Sequence, residues 1–162
     1  MFRTQEKILE LPRLLAKLNG WRVKDEVIVF TNGCFDLIHV GHVRYLEEAR
    51  LLGDRLILGL NTDASVKRLK GDSRPILSER DRAEVLAAFE FVDAVTLFDE
   101  ETPYELIKAV QPDILVKGGD YQPEEIVGHD IVQAEGGKVL SLQLVKGKST
   151  SAIIEKIQNN HF

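Results

Sequence analysis

Residues 27–42 constrain this chain more than any other stretch. Val27-Ile28-Val29-Phe30 is an apolar run of the length and composition of a buried strand. It leads through Asn32-Gly33-Cys34 into a segment with helical spacing, Val40 to Leu52, that stops at Gly53. The pattern then repeats. Strand-like runs at Arg55–Leu60, Val92–Phe98, Ile114–Lys117 and Lys138–Val145 alternate with helix-like segments. Ser78, with Asp81 three residues on, marks one helix start; Pro103, Pro123 and Thr150 mark three more. Such alternation belongs to an α/β fold with a largely parallel sheet of five strands and helices on both faces. An earlier helix is expected over Glu6–Leu18, with Pro12 as an interruption, outside the core unit. The division expected is residues 1–26 as an N-terminal helical extension and 27–162 as the catalytic-type domain.

In an open parallel sheet, ligands bind beyond the carboxyl ends of the strands. Four loops converge there on this reading: Gly33 to His42, Asn61-Thr62-Asp63, Gly118-Gly119-Asp120 and Gly147 to Ser151. The first carries His39 and His42 around Gly41 at a helix start. Free backbone N–H groups and the positive end of the helix attract phosphate there. Imidazoles can donate to phosphoryl oxygens as charge builds, and glycine admits a ligand to the backbone. Two other readings of the histidines are a metal site, completed by Cys34 or Asp36, and an ordinary packing pair. Cys34 lacks the spacing of a nucleophile–base pair and is expected to pack beside the turn.

The wording Phe35-Asp36-Leu37-Ile38-His39-Val40-Gly41-His42 resembles the HxGH signature of the nucleotidylyltransferase superfamily, in its cytidylyltransferase-like branch. With Lys117-Gly118-Gly119-Asp120-Tyr121 and Ser149-Thr150-Ser151, it is most similar to bacterial D-glycero-β-D-manno-heptose 1-phosphate adenylyltransferases, the ADP-heptose synthase domain. The resemblance runs from about Val27 to Ile157. It implies a Rossmann-like fold and transfer of AMP from ATP to a sugar 1-phosphate, with release of pyrophosphate. Mg²⁺ would travel with ATP, and no metal-ligating side chains are expected. His39, His42, Lys70 and Arg80 are the expected catalytic residues. Asn32, Gly33, Cys34, Phe35, Gly41, Lys117, Gly118, Ser149, Thr150 and Ser151 would bind the nucleotide. Asp36, Asn61, Asp63, Gly119 and Asp120 would face the acceptor. The resemblance further implies a homodimer, served by a heptose kinase on a separate chain.

Several of these assignments have plainer counterparts. Lys67 and Lys70 suit a phosphate site or a solvated basic face. Arg80 suits the nucleotide or a surface pair with Glu84. Asp36 could orient His39, bind an acceptor hydroxyl or cap the helix. Gly147-Lys148-Ser149 imitates the end of a P-loop, but Leu142 stands where that motif needs glycine. Ser149 to Ser151 suit phosphate binding or simple capping of the last helix. The cytidylyltransferase relatives carry an arginine near Leu144-Val145; here Lys146 and Lys148 are the substitutes at hand.

Composition excludes other classes. A formal net charge of −5 argues against a broad nucleic-acid surface. One cysteine forms no internal disulfide and suits a reducing compartment. No apolar run approaches the ~20 residues of a membrane span, and Met1–Lys7 is not followed by an apolar signal core. A cytoplasmic enzyme is expected. The alternatives are a cytidylyl- or adenylyltransferase for another phosphorylated acceptor, such as glycerol 3-phosphate, and a nucleotide-binding regulatory module without turnover.

Overall fold

The computed structural model describes residues 4–159. Five parallel strands form one sheet: β1 (Ile28–Gly33), β2 (Arg55–Asn61), β3 (Ala94–Phe98), β4 (Ile114–Gly118) and β5 (Lys138–Leu142). Their order is β3-β2-β1-β4-β5, which puts β1 at the centre and the switch point between β1 and β4. Seven α-helices accompany them among the described residues: α1 (Leu11–Arg22), α2 (Val40–Arg50), α3 (Asp63–Lys70), α4 (Glu79–Ala87), α5 (Tyr104–Val110), α6 (His129–Ala134) and α7 (Thr150–Asn159). The α/β architecture read from the sequence is the one observed.

The strands alternate side chains between two apolar layers, as a two-residue period requires. Ile28, Phe30 and Ile57 face α1, α5 and α6, while Val29, Leu56, Leu58 and Leu60 face α2 and α4. Burial on both faces explains why these strands read as continuous apolar runs.

The N-terminal helix departs from expectation. Pro12 does not interrupt it; it sits in the first turn, where its missing N–H is not needed. The helix starts later than Glu6 and runs to Arg22. Leu14 and Leu18 are fully buried in the core that α1 was expected to stand outside, and Trp21 is nearly so. Ahead of it, Ile8 bridges Val95 in parallel, and the Leu9 N–H donates to the Val95 carbonyl at 2.9 Å. The expected helix at Pro123 is a single 3-10 turn, Pro123–Glu125, before α6. No helix among the described residues is long and apolar enough to cross a membrane.

Candidate active site

The carboxyl end of β1 delivers the chain to α2 through a tight turn. Phe35 there adopts a left-handed φ of 45° and is buried. His39 is the N-cap of α2, in extended conformation. Its Nδ1 accepts from the Gly41 N–H at 3.1 Å, and the His42 Nδ1 accepts from the His39 N–H at 3.4 Å. The two rings stack with centroids 3.9 Å apart, and Phe35 meets His42 edge-on at 5.3 Å.

This arrangement sets the tautomers. An Nδ1 that accepts a hydrogen bond is unprotonated, so a neutral ring carries its proton on Nε2. Burial, then His39, then Lys70 depress the His42 pKa to about 4. Burial and Lys148 lower that of His39 as well. Both rings therefore offer a neutral Nε2–H, the donor that developing phosphoryl charge needs.

Gly41 has a different reason from the one expected. A Cβ there would lie 2.9 Å from the His39 ring. The space belongs to the imidazole, not to a ligand, and the Gly41 N–H is already spent on it. Gly118 and Gly119 behave alike. Leu144 fills the first gap and the Tyr121 ring the second, at 2.7 and 2.5 Å from where a Cβ would stand.

Beside the histidines is a cleft of about 170 Å³, lined by Asn32, Gly33, Cys34, Phe35, Asp36, His42, Lys70, Lys117, Gly118 and Thr150, with Tyr45 and Leu144. Lys70 faces it. Lys67 instead pairs with Asp72 at 3.3 Å on the surface. Lys117 is half-buried; burial pulls its ammonium below the usual lysine range, Cys34 opposes this and Lys70 reinforces it.

The turn before α7 closes the other flank. The Lys148 Cβ lies 3.3 Å from where a Cβ on Gly41 would stand, so the starts of α2 and α7 adjoin. The Ser149 Oγ accepts from the Ala152 N–H at 3.1 Å, an N-cap, and the Thr150 hydroxyl donates to the Leu37 carbonyl at 3.0 Å. Ser151 is exposed. The Ser-Thr-Ser run thus caps its helix and pins it to the β1–α2 turn.

Three expected acceptor residues serve the scaffold. Asp36 has a side chain only 1% exposed; it accepts from Arg74 Nε at 2.6 Å and from the N–H groups of Ile76 and Leu77 at 2.8 and 3.0 Å. Burial pushes its carboxyl up, but Leu77, Ile76 and Arg74 together outweigh this and hold it low. No exposed oxygen is left for a sugar hydroxyl, because the carboxylate anchors residues 74–77. Asn61 is buried and donates to the Ser65 Oγ at 2.9 Å. Asp63 receives Arg82 at 2.7 Å.

Arg82 is the residue that sequence reasoning missed. Fully buried, it donates to the carbonyls of Cys34, Asn61 and Leu77 at 2.6, 2.9 and 3.1 Å as well as to Asp63. It ties the β1 turn, the end of β2 and the start of α4 into one block. Arg80, its neighbour on α4, is exposed and makes no ion pair with Glu84 among the described residues. The one available signal was a helical arginine flanked by apolar positions, Ala83 and Leu86. Asp120 is exposed beyond β4, and Gly119 holds a φ of 136°.

A family model described as cytidylyltransferase-like matches residues 30–156. The chain belongs to the cytidylyltransferase-like family. Among its relatives, the bifunctional protein HldE of Methylobacillus flagellatus is 58% identical over 152 residues, which cover 94% of this chain and 31% of that protein. HldE of Syntrophotalea carbinolica is 59% identical over 140 residues, 86% of this chain and 29% of the relative. This cytidylyltransferase-like chain therefore spans about a third of the length of the curated relatives it matches. The crystal structure of a lipopolysaccharide core biosynthesis protein from Thermoplasma volcanium is 28% identical, with a TM-score of 0.61 over 76% of this chain and 99% of that one. A pantoate–β-alanine ligase from Francisella tularensis, 14% identical at the same TM-score, shares the fold.

Proposed function

We propose that this cytidylyltransferase-like chain transfers AMP from ATP to D-glycero-β-D-manno-heptose 1-phosphate, giving ADP-heptose and pyrophosphate. One observation carries the reading: two stacked imidazoles, each with Nδ1 held by a backbone N–H, present neutral Nε2–H donors beside a cleft rich in cations. The acceptor phosphate is already a nucleophile near neutral pH, so the step needs positioning and charge stabilisation rather than a strong base. An acceptor oxygen bonds to the α-phosphorus as the bond to the bridging oxygen breaks, and pyrophosphate leaves with the electron pair. His39 and His42 donate to the equatorial oxygens. Lys70 and Lys148 neutralise the triphosphate, with Ser149, Thr150 and Ser151 ordering the backbone that faces it.

A divalent ion would shield the triphosphate charge. Mg²⁺ carried by phosphate oxygens and water would supply that shielding. A kinase step that forms the sugar 1-phosphate would lie upstream of this transfer. A homodimer in the cytoplasm, supplying surface-glycan heptose, completes the reading.

Pyrophosphate release tests it, with ATP or CTP, each with Mg²⁺, against heptose 1-phosphate or glycerol 3-phosphate. Release with ATP and the heptose phosphate alone is expected. Release with CTP or glycerol 3-phosphate overturns the substrate assignment. Silence in all four while ATP still binds points to a regulatory module.

A further inference from the structure

We propose that the Tyr45 hydroxyl locks the fork between β1 and β4, which makes Tyr45 a positioning residue for the transfer; this rests on the transferase reading above. β1 stays paired with β2 as far as Gly33, and β4 stays paired with β5 as far as Gly118. Between β1 and β4 the ladder covers only Val29 against Ile114 and Phe30 against Leu115. From Thr31 and Val116 onward these two strands part, as a switch point that admits a ligand requires. Asn32, Gly33, Lys117 and Gly118, next along the parting strands, line the cleft.

Tyr45 fills the fork from α2. Its ring is nearly buried, and its hydroxyl lies 2.6 Å from the Thr31 Oγ1 and 3.4 Å from the Val116 carbonyl oxygen. The ring edge stands 3.3 Å from where a Cβ on Gly118 would be. Thr31 is fully buried as well, so each hydroxyl depends on the other for its hydrogen bond. Among the described residues no other α2 side chain hydrogen-bonds to β1 or β4. Burial pushes the phenol up to about 12, so the hydroxyl keeps its proton near neutral pH.

The lock sits one helical turn from the chemistry. Tyr45 follows His42 by three residues, on the same face of α2. His42 on α2 and the Lys117–Gly118 end of β4 therefore flank one crevice, and the Tyr45 hydroxyl is the polar contact that fixes its width. A misplacement of about 1 Å can cost about 10²-fold in rate. Phenylalanine would fill the same space and leave that width unset.

The test uses the full chain with Tyr45→Phe, Thr31→Val, the double variant and Thr31→Ser. Pyrophosphate release at saturating substrates should fall about tenfold in kcat for Tyr45→Phe, with the affinity for a non-hydrolysable ATP analogue within twofold of wild type. Thr31→Val should fall alike, and the double variant no further, because the two hydroxyls act as one unit. Thr31→Ser keeps the hydroxyl and should recover most of the turnover. Amide hydrogen exchange should quicken at least tenfold in residues 31–33 and 116–118 of Tyr45→Phe and stay unchanged in β3. Local quickening with kcat unchanged overturns the positioning role, as do losses that multiply in the double variant. Exchange that quickens throughout the sheet, or nowhere, overturns the lock itself. The exchange measurement needs no substrate. If the wild type releases no pyrophosphate with any acceptor, the transferase reading and the positioning role fail together, and local quickening still upholds the lock.

Discussion

Two sets of charges lie side by side at the carboxyl edge of the sheet, and they are treated in opposite ways. Arg82 and Asp36 are buried and paired, each held by backbone groups from distant segments, and the largely buried Arg74 pairs with Asp36. His42, Lys70 and Lys117 line the cleft with no carboxylate partner among the described residues. The paired set holds the turns in place. The unpaired set keeps its charge and donors for a ligand. A charge near a site is thus better judged by what already satisfies it than by its proximity.

The widest break in that comparison is Arg82→Met. It leaves the carbonyls of Cys34, Asn61 and Leu77 without their donor, and urea unfolding should show a loss of about 2–4 kcal/mol. A stability close to wild type would remove Arg82 from the scaffold. His39→Asn probes the other set. Asparagine still caps α2 but lacks the Nε2 donor, so turnover should drop by about 10²–10³ with the melting temperature and ATP affinity held. Unchanged turnover would refute the donor role.

Gly41→Ala sharpens the boundary between the two sets. Alanine favours the helix by about 1 kcal/mol, yet its Cβ displaces the His39 ring. The melting temperature should hold or rise while turnover falls about tenfold; loss of both together would contradict the separation.

Acid gives a smaller effect. His42 sits at about 4 in the folded chain against about 6.5 unfolded. Between those values the unfolded state takes up the proton and the folded state resists it. Stability is therefore present above about pH 6.5 and lost as pH falls toward 4. His42→Gln should flatten the melting curve against pH over that window. The smallest change expected is Lys67→Ala, an exposed pair worth about 0–1 kcal/mol, with ATP affinity unchanged; Lys70→Ala should weaken ATP. Equal effects from the two lysines would mean that α3 turns a different face to the cleft.

Local signals were legible in the chain. The β1 run, the turn and the start of α2 lie within residues 27–42, and Ser78 caps α4 by accepting from the Asp81 N–H at 3.2 Å as its spacing suggested. The histidine pair could be picked out because its geometry is set by three residues of one helix turn. The roles of Asp36 and Asn61 could not, since their polar neighbours are chosen by packing. Pro12 was misread because a proline that ends a helix and one that begins it differ only in where the first turn falls.

By itself, then, the sequence determined the α/β alternation, the five strands and the histidine turn at the start of α2, all written in periodicities and caps that act within a few residues. Only the tertiary structure decided which charges are spent. Asp36 meets partners 38–41 residues away, and Arg82 reaches carbonyls 21 and 48 residues away. Whether a polar group is satisfied depends on which segments the fold brings against it, and the spacing of residues along a chain carries no record of that.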